Sequence, residues 1–210
     1  MKLEKVVGYL QERLSRPLPA GAAHELMRAT AVGNVRPKFD HTNPPRTGSV
    51  LVLLYQDGND IRFPLIRRQE YAGAHSGQIS LPGGKSEGNE TSSETALREA
   101  EEEVGVKRDL PTVVGVLSNF LVIPSNFMIT PVIATVSSVP TFKADPYEVA
   151  GIISGSIASL LDATAIHREE IFAGQYKMMA PHFKIDGAIV WGATAMMLNE
   201  LRVVLEDFDC

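Results

Sequence analysis

Between Ser80 and Val106 the chain reads SLPGGKSEGNETSSETALREAEEEVGV, with four glutamates, Glu99 and Glu101 to Glu103, inside five positions. Like charges this dense repel one another unless they are neutralised, by protonation or by a cation. Carboxylate oxygens are hard ligands, so the cation they suit is Mg²⁺ or Mn²⁺ rather than zinc, which favours His or Cys. Gly83 and Gly84 just upstream offer backbone without side chains. A carbonyl there, such as that of Gly84, can add a metal ligand, and bare amides can face a phosphate. The competing reading is a solvated acidic helix face.

The elements around these residues favour a helix. Asn89 to Thr95 is rich in capping residues and early acids, and Gly105 reads as its C-terminal stop. Leu97, Ala100 and Val104 share the face expected to pack on a sheet. At about 100° per residue, Glu99, Glu102 and Glu103 fall in an arc of about 100° beside that stripe, and Glu101 points away. Arg98 precedes Glu102 by four residues, a spacing at which it screens or orients it.

Elsewhere Leu3 to Leu14 has the period of an amphipathic helix, and the proline-containing stretch from Arg36 to Arg46 reads as a connector. SVLVLLYQ and IRFPLIRR, joined through Asp57-Gly58, predict a hairpin, as does HFKIDGAIVW through Asp186-Gly187. TVVGVL and MITPVIATV predict strands, SIASLLD a short helix, and GATAMMLNELRVVLEDF a closing amphipathic helix. Hairpins alternating with helices predict an α/β or α+β fold with a mixed sheet.

Composition narrows the function. The 210 residues carry a net charge of −5, which argues against binding a nucleic-acid backbone. The lone cysteine, Cys210, excludes an intrachain disulfide. No apolar run approaches a membrane span, and MKLEKVVGYLQERL does not read as a signal peptide. The expectation is a cytoplasmic protein with a small-molecule partner.

Gly84, five residues, Glu90, seven residues, then Arg98-Glu99-Ala100-x-Glu102-Glu103-x-Gly105-Val106 resembles the Nudix box, G-x5-E-x7-R-E-U-x-E-E-x-G-U with U apolar. The resemblance implies an α/β/α sandwich around a mixed sheet, formed by residues 49–205 of a single domain spanning 1–210, with 1–45 as an N-terminal helical extension and connector. It implies hydrolysis of a nucleoside diphosphate linked to another group, with Mg²⁺ or Mn²⁺. On it, Glu99 and Glu103 are the main metal ligands and Glu102 a third ligand or a catalytic base. Glu90 and Arg98 support the loop-helix geometry beside the reaction.

RRQEYAGAHSGQISLPGG, Arg67 to Gly84, is similar to the motif of coenzyme A pyrophosphatases, L-L-T-x-R-S-x-x-L-R-x-H-x-G-x-V-x-F-P-G-G. Arg68, His75, Gly77, Ile79 and Pro82-Gly83-Gly84 fall on it; Leu81 replaces Phe, Gln69 replaces Ser, and Ala72-Gly73 replaces Leu-Arg. PSNFMITPVIA, DPYEVAGI and AIVWGATAMML resemble further segments of that subfamily, and Glu148 in the second is a candidate base or extra metal ligand. The resemblance implies cleavage of coenzyme A, or an acyl-CoA, to 4′-phosphopantetheine and adenosine 3′,5′-bisphosphate. His75, Gly77, Gly83, Arg67 and Arg68 are then the substrate side of the site, the two arginines facing the 3′-phosphate. The missing arginine keeps ADP-ribose or another nucleoside diphosphate derivative open, and a ligand-sensing domain without turnover is the third alternative. The chain is expected to act as a monomer or homodimer.

Other residues read as structural. His75 serves either as a substrate contact or as a loop brace. His167 and His182 lack metal-ligand spacing, and Arg67 can equally be a solvated strand-end cation. Trp191 and the methionines 178, 179, 196 and 197 read as packing. Ser76 and Ser80 have no base at a telling spacing.

Overall fold

A computed structural model describes residues 1–33, 36–70 and 77–208. Two short helices open the chain, α1 (Leu3–Arg13) and α2 (Gly21–Glu25), followed by β1 (Thr30–Ala31). β2 (Arg46–Asp57), β3 (Asp60–Arg68), β4 (Ile79–Ser80) and β5 (Gly83–Lys85) lead into α3 (Ser92–Val104). β6 (Thr112–Val116), β7 (Phe120–Val122), β8 (Phe127–Thr135) and β9 (Val149–Ser156) follow, then α4 (Ile157–Leu161). β10 (Ile166–Ala173), β11 (Tyr176–Ile185), β12 (Ala188–Trp191) and α5 (Gly192–Leu205) complete it.

The larger sheet runs β4-β3-β2-β8-β6, with β5, β7 and β9 added beside β2, β8 and β3. It is mixed: β2 lies parallel to β8 and antiparallel to β3 and β5. β2 forms its centre because it is apolar on both faces, as a strand covered on both sides must be. Val50, Val52 and Leu54 enter one core with α1 and α5, while Leu51, Leu53 and Tyr55 enter a second core beneath α3. Each such buried Leu or Val contributes about 1.5–3 kcal/mol. The Asp57-Gly58 hairpin forms as its sequence predicts, with Asp57 opposite Asp60.

A second, antiparallel sheet, β1-β11-β10 with β12 on β11, lies outside the single mixed sheet expected. Its β11-β12 hairpin is the predicted one, with positive φ at Asp186 and Gly187. One helix expectation is extended and one corrected. The packing face of α3 holds Ala100 and Val104 as expected, with Ala96 added and Leu97 half-buried against the same core. α5 is not amphipathic in place: Thr194 to Leu201 are all buried, since α1, α2, α4 and strand β11 surround it.

The N-terminal segment is tied to α5. Tyr9 Oη donates to the Val204 carbonyl at 3.0 Å. Glu200, fully buried, accepts from Ala20 N (3.1 Å) and Ser118 N (3.3 Å) and pairs with His24 Nε2 (3.0 Å). Among the described residues no helix is long and apolar enough to cross a membrane.

Candidate functional site

The acidic helix is positioned by its ends. Thr91 caps it, its hydroxyl accepting from Glu94 N while Glu94 returns a carboxylate to Thr91 N, a reciprocal capping box. Gly105 ends it in the left-handed conformation, φ +74°. Between these ends the four glutamates separate into distinct environments. Glu101 turns outward to Arg108 at 2.5 Å, and the Glu102 side chain is 55% exposed. Glu103 is 1% exposed.

Arg98 organises the loop before the helix. Its guanidinium donates to both oxygens of Glu90 (2.7 and 3.1 Å), to Glu99 Oε1 (2.8 Å), to Glu102 Oε2 (2.9 Å) and to the Lys85 carbonyl (2.9 Å). Five bonds from one planar fork fix β5, the loop and the helix together. The Arg98 bonds, with the Glu87 amide, lower the Glu90 pKa to about 2.

Glu103 and Glu99 line the junction between α3 and β5. Glu103 Oε2 accepts from Gly83 N at 2.8 Å. Its Oε1 is buried and has no hydrogen-bond partner among the described residues; Arg68 Nη1 lies 3.5 Å away, an ion pair but too long for a hydrogen bond. Burial pushes the Glu103 pKa up to about 7, against the pull of Gly83 N and Arg68 and with the push of Glu99 and Glu148. Burial also raises Glu99, opposed by Arg98 and reinforced by the charges of Glu102 and Glu148. Glu148, exposed in the turn before β9, is the further negative charge that adds to both shifts.

The double glycine is required sterically. A Cβ on Gly84 would stand 2.5 Å from the Glu99 carboxylate, and one on Gly83 would stand 2.3 Å from the Ser49 carbonyl. Much of the Leu81 to Gly84 backbone is already engaged. β5 pairs with β2, and the Pro82 carbonyl is taken by Leu51 N. The Gly83 amide is likewise turned to Glu103.

The arrangement fits a hard divalent cation. The donors are all oxygen, one buried carboxylate oxygen lacks a hydrogen-bond partner among the described residues, and Gly84 leaves space beside Glu99. Among the described residues no three His, Cys, Asp or Glu side chains already converge on one point. Arg98 holds Glu99 and Glu102 by one oxygen each, which leaves each carboxylate a second oxygen.

Of the other expected site residues, Arg68 joins the cluster through Glu103, whereas Arg67 is exposed at the end of β3. Gly77 stands beside Glu70 with φ +66°. His75, with the Ala72-Gly73 departure and Ser76, lies outside the described residues. His182 is buried, 3.2 Å from Glu169 and stacked on His167, as structural histidines would be. Sequence reasoning missed Asp145 and the contacts of Gln69. Asp145 Oδ1 accepts from Tyr147 N (2.8 Å) and Glu148 N (3.1 Å), and Gln69 Nε2 donates to the Pro146 carbonyl at 3.0 Å. An Asp-Pro pair is a turn signal, and it was available in the sequence.

Comparison with known proteins points to one family. A model of the NUDIX domain matches residues 45–152. An uncharacterized Nudix hydrolase NudL of Yersinia enterocolitica is 33% identical over 138 residues, 65% of this chain and 70% of that protein. Nudix hydrolase 22, chloroplastic, of Arabidopsis thaliana is 31% identical over 169 residues, 77% of this chain and 56% of that protein. Among solved structures, the Nudix hydrolase RenU of M. smegmatis shares the fold, with TM-score 0.56 and 18% identity over 80% of this chain and 89% of that one.

Proposed function

Because the chain belongs to the Nudix family and is a hydrolase of nucleoside diphosphate-linked compounds, we propose that its substrate is coenzyme A or an acyl-CoA, cleaved at the diphosphate. The products are 4′-phosphopantetheine, or its acyl form, and adenosine 3′,5′-bisphosphate. The observation that carries the site assignment is Glu103, a carboxylate held inside the protein with one oxygen turned to Gly83 N and the other without a hydrogen bond among the described residues. A buried charge in that state is costly unless a cation completes it.

Nudix hydrolases generally require a divalent cation. Glu99 and Glu103 would hold it, with Glu102 or the Gly84 carbonyl as a further ligand. Bound there, Mg²⁺ or Mn²⁺ supplies charge neutralisation for the diphosphate and acidifies water. The chain's own contribution is placement. Arg98 holds Glu99 and Glu102 on one side of the helix, Gly83 N fixes the rotamer of Glu103, and β5 keeps the space beside Glu99 free of side chains. Glu148 and Glu102 are the two carboxylates open enough to take a proton from the attacking water. Arg68, which pairs with Glu103, is the cation to meet a substrate phosphate, and the coenzyme A motif adds His75, Gly77 and Gly83 on the substrate side. The conformity of Arg68, Gly77, Ile79 and Pro82 to Gly84 with the coenzyme A motif supports this substrate, as do the PSNFMITPVIA and AIVWGATAMML segments.

A second reading, ADP-ribose as substrate, is favoured by one observation: Ala72-Gly73 stands where that motif has Leu-Arg. Incubation with coenzyme A, acetyl-CoA and ADP-ribose, with Mg²⁺ or Mn²⁺ and products resolved by mass spectrometry, separates the two. Coenzyme A left intact while ADP-ribose is consumed would overturn the first.

A further inference from the structure

We propose that Asp145 and Gln69 are positioning residues that together clamp the 145–148 turn and so fix Glu148 against the acidic helix. The proposal rests on the role given above to Glu148. Glu148 is exposed and sits on irregular backbone between a connector and β9. An exposed glutamate on a free loop spreads over many positions, and a proton acceptor displaced by about 1 Å loses up to about a hundredfold in rate.

The turn has little freedom. The Asp145 carboxylate gathers the amides of Tyr147 and Glu148 at 2.8 and 3.1 Å. The Asp145 carbonyl accepts from Val149 N at 2.9 Å, which closes the turn into β9. Two bonds join this segment to the end of α3: Asp145 N to the Glu103 carbonyl at 3.0 Å and Lys143 N to the Val104 carbonyl at 2.9 Å. Glu148 is therefore referenced to the backbone of Glu103 itself.

Gln69 closes the other side. Its amide N–H donates to the Glu148 carbonyl at 3.0 Å, and its side-chain Nε2 reaches the Pro146 carbonyl at 3.0 Å. One residue at the end of β3 thus grips the turn at two points, next to Arg68, which pairs with Glu103. The strand that delivers Arg68 and the turn that delivers Glu148 are held as one piece.

The test compares Asp145→Ala, Asp145→Asn, Gln69→Ala, Glu148→Gln and the double variant Asp145→Ala/Glu148→Gln. Turnover of coenzyme A and of ADP-ribose is measured with Mn²⁺, and amide hydrogen exchange is followed at Glu148. Asp145→Ala and Gln69→Ala should each lower kcat by about tenfold to a hundredfold with KM little changed, and each should speed exchange at the Glu148 amide. Asp145→Asn, whose Oδ1 still accepts both amides, should retain most of the rate. The double variant should be no slower than Glu148→Gln alone. Losses that multiply in the double variant would overturn the clamp. So would unchanged exchange in both alanine variants, whether or not either substrate is cleaved. Wild-type turnover by Glu148→Gln is a separate result, which removes the role of Glu148 itself and with it the purpose of the clamp.

Discussion

The Arg68 guanidinium lies 3.5 Å from Glu103 Oε1, the one described cation to approach the most deeply buried carboxylate of the cluster. The pair is incomplete, since Glu103 keeps a pKa near 7 despite it. Burial outweighs the ion pair, and the balance changes only when a stronger cation arrives.

This gives a pH dependence for the metal-free protein. The folded pKa of Glu103 is raised from 4.5 to about 7, so the folded state binds the proton more tightly than the unfolded one. The contribution is present below pH 4.5 and is lost as pH rises toward 7, by about 3 kcal/mol for a shift of this size. Urea unfolding in EDTA at pH 5 and 7.5 should show Glu103→Gln losing less stability over that interval than the parent. Parallel slopes for the two proteins would contradict it.

Glu103→Gln should also depress kcat by two or more orders of magnitude, roughly the effect of losing a charged group at the reacting centre. The fold should persist, because a glutamine oxygen still accepts from Gly83 N. The readout is steady-state turnover beside a circular dichroism melt; unimpaired turnover would place the chemistry elsewhere.

Gly84→Ala puts a methyl group where the Glu99 carboxylate stands, 2.5 Å away. Glu99 must leave its place, and Mn²⁺ affinity should fall by about tenfold to a hundredfold, as when a ligand's orientation is lost. Titration followed by electron paramagnetic resonance measures it without substrate.

Arg98→Lys keeps the charge and loses the fork. A lysine cannot serve Glu90, Glu99, Glu102 and the Lys85 carbonyl together. The expected outcome is a loss of about 1–3 kcal/mol in stability from unpaired acceptors, with kcat reduced as Glu99 and Glu102 drift. Denaturant melts and turnover, run side by side, check both.

Glu200→Ala leaves the Ala20 and Ser118 amides and His24 without their acceptor, and should cost about 3–5 kcal/mol. Chemical denaturation measures the loss. The hydrogen bonds hold the Glu200 pKa below its usual value although burial opposes them. Its stabilisation is thus present at neutral pH and fades as acid protonates it.

What could be read beforehand was local. The caps of α3, both Asp-Gly hairpins and the strand β2 follow from residues within a few positions of one another, where propensity and turn chemistry decide. The helix wheel placed Glu99, Glu102 and Glu103 together, but it could not rank them. Whether a side chain is buried depends on what packs over it, and β5 packs over Glu103 and not Glu102. Glu200 was invisible for the same reason. Its partners come from Ala20, His24 and Ser118, far off in the chain. β10 was missed because its alternation sets mostly exposed polar residues against half-buried ones, a weak pattern beside that of a strand with one face in the core.

The parallel pairing of β2 with β8 has a consequence for biosynthesis. Arg46 meets Phe127, so the central strand, with its buried run from Val50 to Tyr55, waits about 80 residues for that neighbour. At 5–20 residues per second the delay is roughly 4–16 s. During it β3 pairs with Tyr55 to Asp57 and β5 with Gly48 to Val50, and the edge that β8 will take stays open. A nascent chain stalled before Phe127 would present a sticky open ribbon, and holding chaperones at the ribosome exit would bind there first.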